Sequence, residues 1–345
     1  DQDGINNWQP DTPATGNPEV GQAPLFDQIN LADIRVSYNE ERVAVLEVAT
    51  LNYADERIEI LDSRIATEHG LIVFKGEADL AESGKPKVTA TIESPALNFV
   101  STAPAEEVAS ADGAEADAAS SARMFSDDPL EYSWLNAVDL DAEVRIDSLS
   151  STAESVENLN ATIAIERSAL RVAPLTFTKD SGTFAGELRL EPVDDEFSLH
   201  MSFVAEQIRM SALAADGQDP STVPPLDLTA EITGSGRTMH AIAASSSGQL
   251  SGRQHSGLVN MQDSGFLFSD IVTSVFRTIN PLAESEPFAE LECSIIEVEI
   301  ENGVATIDEL AAQLDRLVIV GSGNVNLDTE ELDLTIRTKT REGLG

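Results

Sequence analysis

From Leu25 the chain is written in short runs where apolar and polar side chains alternate, each run closed by turn-forming residues. A two-residue period sends successive side chains to opposite faces of an extended strand, so the pattern predicts half-buried β-strands. Ile34, Val36 and Tyr38 alternate with Asp33, Arg35 and Ser37, and Ile58 and Ile60 continue the theme. Ile72 and Phe74, then Val88, Ala90 and Ile92, flank Ser83-Gly84-Lys85-Pro86, which predicts a hairpin. Leu140, Ala142, Val144 and Ile146 face one way, and Ile163 and Ile165, Leu170 and Val172, and Leu175 and Phe177 follow as short runs. Leu188 and Leu190 lead through residues 192–195 to Phe197, Leu199, Met201 and Phe203. Near the end, Asn302-Gly303 and Asp328-Thr329-Glu330 predict two further turns.

Three stretches depart from this texture. Residues 1–24 are rich in Pro, Gly, Asn and Asp without an apolar period and read as an irregular segment. Residues 101–123 are mostly Ala, Ser, Glu and Asp, a composition that buries too little surface to repay ordering and reads as a disordered linker. In residues 264–280, Phe268, Ile271, Val272, Val275, Phe276 and Ile279 recur at spacings of three and four, which predicts an amphipathic helix ended by Pro281. The expected organisation is a β-module over 25–100, the linker 101–123, a central β-module over 124–220 and a third over 221–345.

Three predicted hairpins look alike, beginning at Gly70, Gly182 and Leu317. Each has a glycine near the middle of its first strand, a short polar turn and an alternating second strand. Mid-strand glycine marks a bulge or bend, and a bend repeated at one position curves a sheet one way. The fold class expected is therefore mainly β, a long curved antiparallel sheet of repeated modules carrying one or two short helices.

Composition narrows the function. The 345 residues contain 61 acidic against 21 basic side chains, a formal charge of −40. That excludes phosphate-backbone recognition, so no nucleic acid is expected, and it opposes docking on anionic headgroups. Only 5% of residues are aromatic, few for stacking on sugars or bases. Cys293 is the only cysteine, so neither an internal disulfide nor a cysteine metal cage can form. No apolar run approaches the roughly 18–20 residues needed to cross a bilayer. The chain opens at Asp1 without a targeting segment and reads as an excerpt of a longer or processed protein.

Catalytic chemistry is not evident. His69, His200, His240 and His255 are scattered outside any metal-binding spacing, and no nucleophile elbow, P-loop or calcium loop occurs. Gly234-Ser-Gly236 and Gly321-Ser-Gly323 read as bends within strands, and Cys293 as a small packed side chain. The expectation is a non-enzymatic protein with no catalytic residue, metal site or cofactor.

Several stretches together resemble the AsmA family. Met124–Leu149 resembles the start of that family's central module, and Ile232–Gly252 its segment of spaced glycines and small residues. The most specific likeness is Leu291–Lys339, with an inner strand, a tight turn, a Gly-x-Gly strand and a Thr-Glu-x-Leu-Asp-Leu hairpin in order. The resemblance implies a periplasmic protein of a Gram-negative bacterium, held to the inner membrane by an N-terminal anchor outside this sequence. It further implies kinship with bridge-like lipid-transfer proteins, a part in phospholipid transport and outer-membrane lipid homeostasis, and contact with outer-membrane assembly proteins. The family's first module is not matched, and the strong acidity is unusual for it.

A strand with one apolar face must cover that face, with a second sheet or with something else. The candidate lining for phospholipid acyl chains is Ile72, Phe74, Leu188, Leu190, Phe197, Leu199, Met201, Phe203, Ile319, Val325, Leu327, Leu332, Leu334 and Ile336. The same alternation would be written by a two-sheet sandwich, in which these residues pack on protein. Two further classes stay open: an assembly factor acting through sheet edges, regulating protein targeting to the outer membrane, and a carbohydrate-active β-protein.

Overall fold

The computed structural model describes residues 28–38, 41–80, 85–99, 124–130, 132–152, 154–194, 196–210, 218–260, 288–315 and 317–341. The predicted helix over 264–280, the linker 101–123 and the segment 1–24 lie outside the described residues. What is described is mainly one β-sheet.

Eighteen strands follow one another along the chain. The first six are β1 (Gln28–Tyr38), β2 (Glu41–Ala54), β3 (Arg57–Thr67), β4 (Gly70–Asp79), β5 (Lys87–Ser94) and β6 (Leu97–Phe99). The next five are β7 (Asp139–Ser151), β8 (Ser155–Glu166), β9 (Ala169–Lys179), β10 (Gly182–Val193) and β11 (Glu196–Ile208). The rest are β12 (Leu226–Gly236), β13 (Ser247–Gln254), β14 (Gly257–Asn260), β15 (Phe288–Glu301), β16 (Val304–Leu314), β17 (Leu317–Asn326) and β18 (Glu331–Thr340). A two-turn helix, α1 (Met239–Ala244), is inserted between β12 and β13 and capped by the Thr238 hydroxyl.

Nearly every strand pairs antiparallel with its neighbour in sequence, as turn-linked strands do. Strands β5 and β6 lie end to end between β4 and β7, and β13 and β14 both pair with β15. Sixteen positions side by side span roughly 70 Å at about 4.8 Å per step. The sheet is antiparallel except at one junction, where β7 runs parallel to β5 and β6. The intervening connection carries the chain back to the end from which β5 started, which a hairpin cannot do. The first module's strands thus join the central module's through β7, and β11 pairs directly with β12.

The repeated glycines sit where the ladder slips. The pairing of β3 with β4 shifts register between Ile60, opposite Gly76, and Ser63, opposite Phe74. That of β9 with β10 shifts between Gly186 and Leu188, and that of β16 with β17 between Ile307, opposite Gly323, and Leu310, opposite Gly321. Each bulge forces a local bend, and the neighbouring strand closes in where the glycine has no side chain. A Cβ on Gly323 would lie 2.1 Å from the Asp333 carbonyl oxygen.

Candidate functional site

Residues paired across the ladder share a face, so the register decides which side chains lie together. One transverse row takes a single residue from each position of the sheet. It runs Leu31, Ala49, Ser63, Phe74, Ile92, Val144, Ala161 and Leu175. It continues through Gly186, Phe203, Ala230, Leu250, Val298, Ile307, Gly323 and Leu334. Ser63 alone is polar, and it is buried. The adjoining row on the other face, from Glu187 through Ser202, Glu231, Gln249, Glu299, Thr306 and Asn324 to Asp333, is entirely polar. The bulges keep the two faces distinct where a strict two-residue period would interchange them.

The candidate lining residues fall on the apolar face. Ile72 and Phe74 hold it on β4, Leu188 and Leu190 on β10, and Phe197, Leu199, Met201 and Phe203 on β11. Ile319 and Val325 on β17 and Leu332, Leu334 and Ile336 on β18 extend it to the last strand. Leu327 lies just past β17 in the turn, its N–H donating to the Gly303 carbonyl. The structure therefore puts thirteen of the fourteen on strands and on one side, with Leu327 at the rim.

Among the described residues no second sheet covers this face, so the sandwich arrangement does not arise from them. Most of its side chains in the interior of the sheet are half-buried, shielded by neighbours on the same face. At the outer strands Ile29, Ile34 and Leu332 are 44%, 40% and 57% exposed. Three clusters are packed more tightly. Ile296, Ile307 and Leu310 are joined by Leu250, Val298, Val325 and Leu334. Val259, Leu291, Leu314, Leu317 and Ile319 form a second at the far ends of β14–β17. The third joins Leu135, from the segment before β7, to Ile165 and Phe197. Phe197 is thus a buried core residue, only 3% exposed, rather than an accessible lining residue, because Leu135 and Tyr132 lie against it. Ile319 is likewise buried, within the second cluster.

Toward the far ends of β9–β11 the face carries an aromatic ladder, Phe177 on Phe184 at 4.5 Å and Phe184 on Phe203 at 5.7 Å between ring centres. Beside it stands Lys179, 6% exposed and ion-paired with Glu154, a buried charge that the alternation did not announce. Helix α1 lies against Gly234 and Gly236, whose missing side chains make room for Ala241 and Ile242. Both the helix and Lys179 escaped the pattern, the first because six residues carry too little period and the second because its partner is 25 residues away.

The polar face holds two open recesses. One, of 770 Å³, is walled by Glu231, Gln249, Glu297, Glu299, Glu301 and Asp308, and another by Glu59, Lys75, Glu77, Thr89 and Thr91. The carboxylates crowded in the first recess repel anions, and the second also carries Ile60, Leu61 and Ala90. No cluster of three or more metal-ligating side chains occurs among the described residues. His69 stacks on Phe99, His200 faces Glu187, His240 lies between Asp127 and Asp328, and His255 pairs with Asp227. Burial pushes the Asp227 carboxyl up, but hydrogen bonds from the Gln207 N–H and from His255 outweigh it and hold the group below its ordinary range. Cys293 is half-buried on the polar side of β15.

The AsmA family model matches residues 69–310, from the turn after β3 into β16. The chain belongs to the AsmA family. It is 24% identical over 288 residues to the AsmA family protein YhjG of Escherichia coli strain K12, across 79% of this chain and 40% of that protein. The chain therefore spans about two fifths of the length of the curated relative it matches. No solved structure matches it.

Proposed function

We propose that this AsmA-family chain is a non-enzymatic carrier of phospholipid acyl chains, acting in the periplasm in phospholipid transport and outer-membrane lipid homeostasis. The observation that carries the reading is the apolar row crossing all sixteen positions of the sheet with no described second layer over it. Exposing a sixteen-carbon chain to water costs on the order of 12 kcal/mol at about 0.8 kcal/mol per methylene. A continuous apolar trough removes most of that cost for the chain and for its own side chains at once, while the headgroup stays in solvent. The polar, acidic face keeps the reverse side wetted and off anionic bilayers. Membrane contact then does not come from this face.

Native mass spectrometry of the protein purified without detergent tests the reading. Phospholipid adducts are expected on the unsubstituted chain and are lost in Leu334→Glu, which puts a carboxylate on the apolar face at half-buried depth. A folded, lipid-free unsubstituted chain overturns it.

A second reading is favoured by the edges. The outer sides of β1 and β18 have no strand partner among the described residues, and exposed strand edges accept further strands. An assembly factor that guides outer-membrane strands would use them. Crosslinking from β18 to nascent outer-membrane barrels, with no lipid adduct in the mass spectrum, would decide for this role.

A further inference from the structure

Before β7 the described residues 124–130 and 132–136 make a strap along one rim of the sheet. The N–H groups of Met124 and Phe125 donate to the Glu330 carboxylate, at 3.0 and 3.2 Å, in the turn between β17 and β18. Farther along, the His240 N–H donates to the Ser126 carbonyl and the Leu130 N–H to the Arg237 carbonyl. Pro129 forms a β-bridge with Thr238. Leu130 and Leu135 then press on the apolar face over Phe197, Ile165, Leu170 and Leu190, and Tyr132 meets the Phe197 ring edge-on. Leu135 is 1% exposed. The strap covers the apolar face along that rim, over the strand ends of β8–β11.

Its fastening is a histidine. The His240 ring, on α1, has Nδ1 2.8 Å from Asp127 Oδ1 on the strap. Its Nε2 lies 2.9 Å from the Asp328 carbonyl oxygen and 3.4 Å from Asp328 Oδ1 on the β17–β18 turn. Both ring nitrogens therefore face acceptors. Neutral imidazole carries one N–H and imidazolium two, so only the protonated ring donates in both directions. Among the described residues the carboxylates set against the ring are Asp127 on the strap and Asp328 on the turn, and Glu330 on the turn, Asp128 on the strap and Arg237 before the helix belong to the same packed elements.

We propose that the strap is a pH-sensitive gate along one rim of the apolar face, latched by protonated His240 between Asp127 and Asp328. On the acyl-chain reading, which this inference deepens, the latched strap keeps a chain from crossing that rim. Loss of one imidazole proton sets a lone pair against a carboxylate or carbonyl oxygen, frees the strap, and opens the rim for a chain to enter or leave. The acidic limb of the histidine range closes the gate and the alkaline limb opens it.

Hydrogen exchange of the whole chain at about pH 6 and about pH 8, corrected for intrinsic rates, reads the latch directly. The Met124, Phe125 and Leu130 amides are expected to lose about tenfold in protection by the higher pH, while Phe203 and Leu250 keep theirs. In His240→Gln, and in Asp127→Asn, which leaves α1 intact, strap protection is low at both values. Equal strap protection at both values in the unsubstituted chain, or a pH step surviving in both variants, overturns the gate. Lipid adducts in native mass spectra of the same samples report separately on the acyl-chain reading: their absence defeats that reading whatever the exchange shows.

Discussion

The Lys85 ammonium lies 2.8 Å from the Asp139 carboxylate at the one place where the sheet turns parallel. Lys85 precedes β5 and Asp139 opens β7, and the Asp139 N–H also donates to the Pro86 carbonyl. The pair therefore fixes the register with which the central module's strands join those of the first. Lys85 reaches the Leu135 carbonyl as well, at 3.4 Å, so the same cation ties down the end of the strap.

This junction should weaken in acid. The hydrogen bond from Lys85, together with its charge, holds the Asp139 carboxyl below the usual carboxylate range. A carboxyl lowered in the folded state adds stability above its unfolded pKa, and that addition is lost as pH falls through the folded value. Asp139→Asn is expected to lower the thermal midpoint at neutral pH and to converge with the unsubstituted chain in acid. Melting curves from about pH 7 down to about pH 3 check this. A midpoint difference that persists unchanged at the acid end would show that the ion pair is not the cause.

Gly323 should tolerate no side chain. A Cβ there meets the Asp333 carbonyl oxygen at 2.1 Å and the Leu334 Cα at 2.9 Å, and backbone cannot move aside as a side-chain tip can. Gly323→Ala is expected to cost about 2 kcal/mol or more, read from the urea midpoint. Gly186→Ala, where the nearest contact is 3.0 Å from the Phe203 Cβ, should cost less. Equal costs at the two sites would contradict the close approach.

Those glycines were legible in the sequence because three hairpins repeated them, and the turns were legible because their chemistry is local. Asn302 and Gly303 adopt φ of 50° and 77°, the left-handed pair that a two-residue hairpin demands. Leu170 with Val172 and Leu175 with Phe177 read as separate runs, yet both belong to β9, where register shifts against β8 and β10 restore the phase. The parallel partner of β5 was hidden by the long acidic stretch before β7, since no local period specifies a partner across it. The strap's role was equally hidden. Leu130 and Leu135 look unremarkable until Phe197, more than sixty residues on, is brought beneath them. For the candidate face the sequence showed which side chains alternate, and only the register showed that they form one surface.

Lys179 should be costly to unpair. Its side chain is 6% exposed, its ammonium pairs with Glu154 and donates to the Ser155 carbonyl at 3.2 Å, and it stands beside the phenylalanine ladder. Removing one member of such a pair leaves a charge in poor solvent, which costs about 3–5 kcal/mol in buried cases, with a smaller loss where a partner is partly exposed as Glu154 is. Lys179→Met alone is expected to destabilise clearly in urea titration. Combining it with Glu154→Gln should recover most of the loss, because no charge is then stranded. A double variant as unstable as the single one would mean that packing of the lysine stem, not its charge, matters there.

The strongest discrimination between the faces comes from two positions on one strand. Leu199 and Val204 both lie on β11, an odd number of residues apart, and therefore on opposite sides of the sheet. Leu199 pairs with Leu190 and Gly234 within the apolar face, whereas Val204 pairs with Ala185 and Thr229 on the polar one and is 44% exposed. Val204→Lys keeps its ammonium in water and should change stability by no more than about 0.5 kcal/mol. Leu199→Lys forces the ammonium either into the apolar row or out along its stem, and it should abolish acyl-chain retention while the strand stays paired. Circular dichroism, urea midpoints and lipid adduct counts on the two variants separate these effects. If Val204→Lys loses lipid as completely as Leu199→Lys, the occupied side of the sheet has been misassigned, and the acyl chain does not lie where the apolar row puts it.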